Sequence, residues 1–336
     1  DSHTHIVYAE SREKEFVMRI EGKSYEEIAR EGGGILNSAR KLADADENAL
    51  YEDAYRRVQE VMSMGTGALE IKSGYGLSPE SEIKMLRVIR RLKEAFPISI
   101  KSTFLGAHAI PLSFKDNRQA YINQIIEEML PAISQEGLAD YMDVFCDKGF
   151  FTPEETETLL EAGYKFGLKP KIHANELDYS GGVQVGVKHR AISVDHLEYV
   201  GEDELNALKS GSTMPTLLPS TAFFLNLPYA PARKIIDAGL PLTLASDYNP
   251  GSTPSGNLPF VFSLACIKMR MLPNEAINAA TINGAVAMEI QENEGSLTKG
   301  KKANFCVAEK GCGPALLAYS FGSRLIQQLW IKGEQI

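Results

Sequence analysis

The chain has 336 residues, 44% apolar and 24% charged, with a formal net charge of −9. This is ordinary globular composition, and its acidic balance argues against nucleic acid as a partner, because phosphate binding needs a basic footprint. No apolar run approaches the roughly 20 residues that span a bilayer, so no membrane partner is expected.

The chain opens with Asp1-Ser2-His3-Thr4-His5, then Ile6-Val7-Tyr8, which predicts a strand over 4–8. Side chains at i and i+2 of a strand share a side, so His3 and His5 can reach one metal ion. A metal-binding strand this early implies that a preceding segment is missing from the chain. Residues 10–40 are polar. Ser24 and Glu27 have capping-box spacing, which predicts a helix over 24–30. Gly32-Gly33-Gly34 reads as a turn in a long loop, or else as a phosphate nest, although it lacks the Gly-Lys-Ser/Thr ending of a P-loop.

From residue 46 the pattern becomes regular. Helices are predicted over 46–64, 79–96, 119–134, 153–166, 181–188, 202–208, 230–238, 257–269 and 273–290. Strands are predicted over 66–71, 99–106, 141–146, 170–174, 191–195, 213–218 and 241–246. With 4–8 this makes eight strands, nearly all followed by a helix. Alternation of this kind means parallel βαβ units, and eight of them over residues 1–292 match an α/β fold of (β/α)8 TIM-barrel type. A doubly wound open sheet is the alternative, but it leaves unexplained why polar residues recur at strand ends around the whole chain. Residues 293–336 break the pattern and read as turn and strand, the C-terminal part of a small β-sandwich domain whose N-terminal part is absent from the chain. The four scattered cysteines (Cys146, Cys266, Cys306, Cys312) include no Cys-x-x-Cys pair and fit reduced thiols of a cytoplasmic protein.

Barrel chemistry sits at the C-terminal ends of the strands. Collected there are His3 and His5, Tyr75, His108, His173 with Glu176, His196, and Asp247 with Asn249. Five of the six histidines fall on this face, while His189 ends a helix and reads as an ordinary surface residue. His3, His5, His173 and Asp247 make an N3O set that suits Zn2+ or Fe2+ and leaves a position open for water. Glu176 or Asp247 can take the proton of such a water. His196 either orients the reacting groups or serves as a further nitrogen ligand. A second metal would need a bridging acid or modified lysine after the fourth strand, where Cys146-Asp147-Lys148-Gly149 stand. One divalent ion is expected.

These residues resemble the amidohydrolase superfamily. Glu70-Ile71-Lys72-Ser73-Gly74-Tyr75-Gly76-Leu77, Phe104-Leu105-Gly106-Ala107-His108-Ala109, Lys171-Ile172-His173-Ala174-Asn175-Glu176, Asp195-His196-Leu197-Glu198-Tyr199 and Ser246-Asp247-Tyr248-Asn249-Pro250-Gly251-Ser252 are more specific. They resemble its cyclic amide hydrolases of histidine degradation, over essentially the whole chain. The resemblance implies a metal-dependent hydrolase converting 4-imidazolone-5-propanoate to N-formimidoyl-L-glutamate. It implies His3, His5, His173 and Asp247 as metal ligands, and Glu176, His196 and Asp247 as catalytic. Arg12, Tyr75, His108, Glu176, Asn249, Gly251 and Ser252 would bind this small-molecule substrate, with Arg12 as a fork for its carboxylate. A homodimer is also implied. Ser252 stands where the family often has threonine, and Lys310–Ser320 departs from the family's tail. Two other readings are open: a deaminase of an aromatic base, which would release ammonia, and a metal-binding barrel without catalysis.

Overall fold

The computed structural model describes residues 1–23, 27–28 and 33–336. The helix expected over 24–30 lies largely outside the described residues, as does Gly32 of the glycine run. Seven strands form one sheet: β1 (Ala68–Lys72), β2 (Ser99–Ala107), β3 (Tyr141–Cys146), β4 (Lys169–Ala174), β5 (Ser193–His196), β6 (Met214–Leu217) and β7 (Thr243–Leu244). Sheet order equals chain order and every pairing is parallel. A doubly wound sheet would reverse its order at a switch point.

The opening residues close the sheet into a barrel. Thr4 bridges in parallel to Ile71 of β1 on one side and to Tyr248 on the other. Lys72 N donates to Thr4 O at 2.8 Å and Asp247 N to His3 O at 3.0 Å. The strand expected over 4–8 is therefore reduced to this bridge. Arg57 is the reason. Its Nη1 donates to the carbonyls of Ile6 and Tyr8 at 2.8 and 3.0 Å, and its guanidinium lies 3.4 Å over the Tyr8 ring. These carbonyls bond a side chain instead of a ladder.

Local signals set the helices. Asp46 caps Glu47–Ser63 by accepting from Asn48 N and Ala49 N, and Leu50, Ala54, Val58, Val61 and Met62 form its buried face. Thr152 and Glu155 make a capping box at Pro153–Lys165. The helix expected over 119–134 runs as Arg118–Gln124, a π-helical turn Ile125–Met129, and Leu130–Glu136. Pro131 has no N–H for the α ladder, which accounts for the widened turn before it. The helix expected over 273–290 breaks at Thr281, giving Pro273–Ala280 and Ile282–Ala287. The polar stretch after residue 10 carries helices Glu13–Ile20 and Gly34–Asp44, and Pro219–Leu225 is a further helix that the pattern did not indicate. Gly34 N donates to the buried Glu15 Oε1 at 3.0 Å, so that amide serves the chain itself and no anion.

In the tail, β8 (Phe305–Ala308), β9 (Ile326–Ile331) and β10 (Glu334–Gln335) form an antiparallel sheet. Cys306 Sγ donates to Gly65 O at 3.1 Å, and a Cβ on Gly67 would stand 3.4 Å from Ile331. This sheet thus packs where the chain enters β1, at the barrel end opposite the histidines. Lys310–Ser320 includes the short helix Pro314–Tyr319.

Candidate active site

His3, His5, His108, His173 and His196 converge at the C-terminal end of the barrel, packed ring against ring. His3 lies 4.5 Å from His173 and 5.6 Å from His196 between centroids, and His5 stacks on His108 at 5.5 Å. His189 lies elsewhere, half-buried at the end of Gly182–Lys188.

Backbone geometry turns these side chains inward. His196, Leu197, Asp247 and Asn175 are non-glycine residues with φ of 86°, 65°, 56° and 55°. Such strain persists where surrounding bonds over-determine it. Here Leu197 N donates to Ala174 O, Tyr199 N to Asn175 O and Asp247 N to His3 O, at 3.0–3.1 Å.

His3 and His5 are each held by one nitrogen and offer the other, while His173 Nδ1 has a carboxylate close by without a hydrogen bond to it. His3 Nδ1 lies 2.6 Å from Asp195 Oδ2. His5 Nδ1 faces Ser73 O at 3.3 Å. His173 Nδ1 lies 3.0 Å from Asp143 Oδ2. Carboxylates and carbonyls only accept, so the Nδ1 atoms of His3 and His5 carry the protons and their Nε2 lone pairs face the pocket. His3 Nε2 and His5 Nε2 are 3.2 Å apart, and Asp247 Oδ1 is 3.5 and 3.6 Å from them. Tetrahedral ligation with bonds of about 2.0–2.1 Å sets ligand atoms about 3.3–3.4 Å apart, so these three atoms fit a shared ion. His173 and His196 also bring ring nitrogens within 4.8 Å of His3. Burial and the nearby Lys72 charge hold His3 well below the ordinary histidine pKa, and burial with His173 does the same to His5. Both are neutral, as ligands must be.

Around this centre stand two acid–base groups. Glu176 Oε2 is 3.7 Å from His196 Nε2, and Glu198 Oε2 is 3.8 Å from His196 Nδ1. Burial raises Glu176 to about 7, opposed by His196 and helped by Glu198 and Asp247. Burial works against charge on His196, but Glu176 and Glu198 outweigh it and lift the pKa to about 10. Asp147 holds the Glu176 loop, its Oδ2 accepting Glu176 N at 2.7 Å and Leu177 N at 2.9 Å. Lys148 reaches out to Asp178 at 2.8 Å and is exposed. The residues where a second ion would have been sought are thus otherwise engaged.

On the far side, Tyr75 is buried against His5 and His108 at 5.9 and 5.5 Å, with the Arg12 guanidinium 5.8 Å from its ring. Arg12 Nε donates to Ser38 Oγ at 2.9 Å, while Nη2 is buried with no hydrogen-bond partner among the described residues. A Cβ on Gly251 would stand 2.5 Å from Arg12 Nη1, so glycine there leaves the guanidinium its place. Asn249 uses its side chain within its own turn: Oδ1 accepts Gly251 N and Ser252 N, and Nδ2 donates to Asp247 O and Ser252 Oγ. Thr221 Oγ1 and Ser252 Oγ donate to Asp247 Oδ2 at 2.6 and 3.2 Å, which leaves Oδ1 facing the histidines.

The sequence pattern did not single out several residues that build this site. Glu70, Lys72, Asp143, Lys171 and Asp195 form a wholly buried charged layer beneath the histidines. Lys72 Nζ lies 2.8 Å from Glu70, 2.7 Å from Asp143 and 3.4 Å from Asp195, and Lys171 pairs with Glu70. Burial opposes the Lys72 charge, but these carboxylates prevail and raise its pKa. Glu82, also buried, accepts from Gly74 N, Gly76 N and Leu77 N at 3.1, 2.7 and 3.0 Å and shapes the loop carrying Tyr75. The available signal was a lone charge inside otherwise apolar strands, as in Tyr141–Cys146.

A parallel barrel with this constellation defines the class. The model of the amidohydrolase family matches residues 1–336. Solved structures agree on the fold: a variant of the atrazine chlorohydrolase of Arthrobacter aurescens, complexed with zinc and atraton, has a TM-score of 0.72 at 13% identity, covering 100% of this chain and 82% of its own. Guanine deaminase of C. acetobutylicum gives 0.70 at 18% identity, covering 99% and 84%. Sequence similarity goes further. The imidazolonepropionase of Flavobacterium johnsoniae is 59% identical over 336 residues, covering 100% of this chain and 82% of the relative. That of Geobacillus thermodenitrificans is 48% identical over 307 residues, covering 91% and 72%. The chain belongs to the imidazolonepropionase family of the amidohydrolases.

Proposed function

We propose that His3, His5, His173 and Asp247 hold one divalent ion, Zn2+ or Fe2+, at which this enzyme hydrolyses the cyclic amide of 4-imidazolone-5-propanoate to N-formimidoyl-L-glutamate. The reaction is that of the family, a step in histidine degradation carried out by metal-dependent hydrolases. The observation that carries the ligand assignment is the 3.2–3.6 Å spacing of His3 Nε2, His5 Nε2 and Asp247 Oδ1. When bound, the metal lowers the pKa of its water toward neutrality.

The chain's own groups do the rest. Arg12 takes the propanoate carboxylate on Nη2, which has no hydrogen-bond partner among the described residues, with Gly251 and Ser252 beside it and Asn249 holding their turn. Tyr75 and His108 flank the planar ring, with Glu176 at its polar edge. Glu176 takes the proton of the attacking water, its raised pKa matching neutral operation. The charged His196 donates to the ring carbonyl oxygen, stabilising the charge that develops there. Glu176 then returns the water's proton, directly or by way of Asp247, to the departing ring nitrogen. Asp147 bound to the Glu176 loop supports a single ion. Residues 293–336 are read as part of a small β-domain packed away from this chemistry, and the assembly as a homodimer.

Metal analysis of the purified chain, joined to an assay on imidazolone propionate, tests the reading. One equivalent of ion and formation of formimidoyl-glutamate are expected. Ammonia release would instead mark a deaminase, and a metal-replete chain that binds an imidazolone analogue without turnover would mark a non-catalytic binder.

A further inference from the structure

We infer that Lys72 is a positioning residue that sets the orientations of His3 and His173 jointly, by holding the carboxylates behind both. The inference rests on the ligand assignment proposed above. Asp195 Oδ2 is the atom that faces His3 Nδ1 at 2.6 Å, and the same oxygen lies 3.4 Å from Lys72 Nζ. Asp143 Oδ2 lies 3.0 Å from His173 Nδ1 and 2.7 Å from Lys72 Nζ. One ammonium therefore touches both the oxygen bonded to His3 and the oxygen that stands closest behind His173, two ligands carried on separate parts of the barrel. Asp143 is itself fixed at its other oxygen, Oδ1, by His173 N at 3.0 Å. The next residue after Lys72 supplies the third support, since Ser73 O faces His5 Nδ1. The end of β1 thus stands behind all three imidazoles proposed as ligands. Carboxylates behind ligating histidines fix ring orientation and raise ligand basicity, and their loss typically weakens metal binding about 10–100-fold.

A simpler role for Lys72 is charge balance in the core. Lys171 separates the two roles. It is equally buried and also pairs with Glu70, but no contact to Asp143 or Asp195 joins it to the histidines among the described residues. Lys72→Met and Lys171→Met remove the same charge from the same layer, and only the first frees the carboxylates behind His3 and His173.

The test uses the full chain loaded with Zn2+ or Co2+. Metal affinity is measured by chelator competition, and the ligand field by the visible spectrum of the Co2+ form, with circular dichroism as the folding check. Lys72→Met is expected to weaken Zn2+ binding about 10–100-fold and to alter the Co2+ spectrum, while Lys171→Met keeps both near wild type. Wild-type affinity and spectrum in Lys72→Met, or equal losses in both variants, would overturn the inference. If Lys72→Met does not fold, Glu70→Gln/Lys72→Met restores the layer's net charge and is expected to show the same metal defect; wild-type metal binding in it overturns the inference equally. His173→Ala is the reference. Its retention of metal would instead reject the ligand assignment, so the two failures are distinguishable.

Discussion

Asp195 Oδ2 lies 2.6 Å from His3 Nδ1, in a pair fully removed from solvent. The imidazole is thereby locked with Nε2 toward His5 and Asp247. Asp195→Ala should leave the fold intact but weaken metal binding about 10–100-fold, read by chelator competition. Unchanged affinity would mean that ring packing alone orients His3.

Arg12 presents a buried Nη2 that has no hydrogen-bond partner among the described residues, while its Nη1 lies against Gly251. A charge-assisted bond to the substrate carboxylate is made in ground and transition states alike, so Arg12→Ala should raise KM by about tenfold or more with a smaller change in kcat. Steady-state kinetics on imidazolone propionate decide it. A loss mainly in kcat would place Arg12 in the chemistry.

Glu176 has a pKa raised to about 7 by burial, with the carboxylates of Glu198 and Asp247 adding to it against His196. Protonation below that value removes the proton acceptor, so kcat/KM should fall on the acid side with an apparent pKa near 7. Glu176→Gln should lose both the activity and this limb. The sign for stability is opposite. A carboxyl whose folded pKa lies above its unfolded value stabilises below the unfolded pKa, and that contribution is lost as pH rises through about 7. Metal-free Glu176→Gln should therefore be more stable than wild type at pH about 8, by about 1–3 kcal/mol. Equal denaturant midpoints there would contradict the burial argument.

Glu82 satisfies three backbone amides of the loop that carries Tyr75. Glu82→Ala orphans them in the interior and should cost about 2–4 kcal/mol of stability, together with a raised KM. Denaturant unfolding and kinetics would show both. A loss of stability with unchanged KM would mean that the loop keeps its shape without this anchor.

Several barrel-strand ends were readable because histidines and Asp247 follow apolar runs, and side-chain direction is fixed once the strand is placed. The layer beneath was less readable. Glu70, Lys72, Asp143, Lys171 and Asp195 point into the barrel, where a charge is tolerated only against partners brought from other strands, and no local pattern names those partners. Residues 6–8 look like strand, yet their carbonyls bond Arg57, some fifty residues away in sequence. Helices Glu13–Ile20 and Gly34–Asp44 were missed because the stretch was read as a polar loop around its glycine run, although Ile35, Leu36, Ala39, Leu42 and Ala43 recur at helical spacing. Asn249 was expected to bind substrate, and its hydrogen bonds within its own turn become visible only in three dimensions.

Turnover is proposed to depend on the ion held by the histidine cluster. Metal content and formimidoyl-glutamate production, measured together on wild type and His173→Ala, test it most directly. One equivalent of metal and turnover are expected in wild type, and loss of both in the variant. Turnover by His173→Ala with a normal metal complement would contradict it.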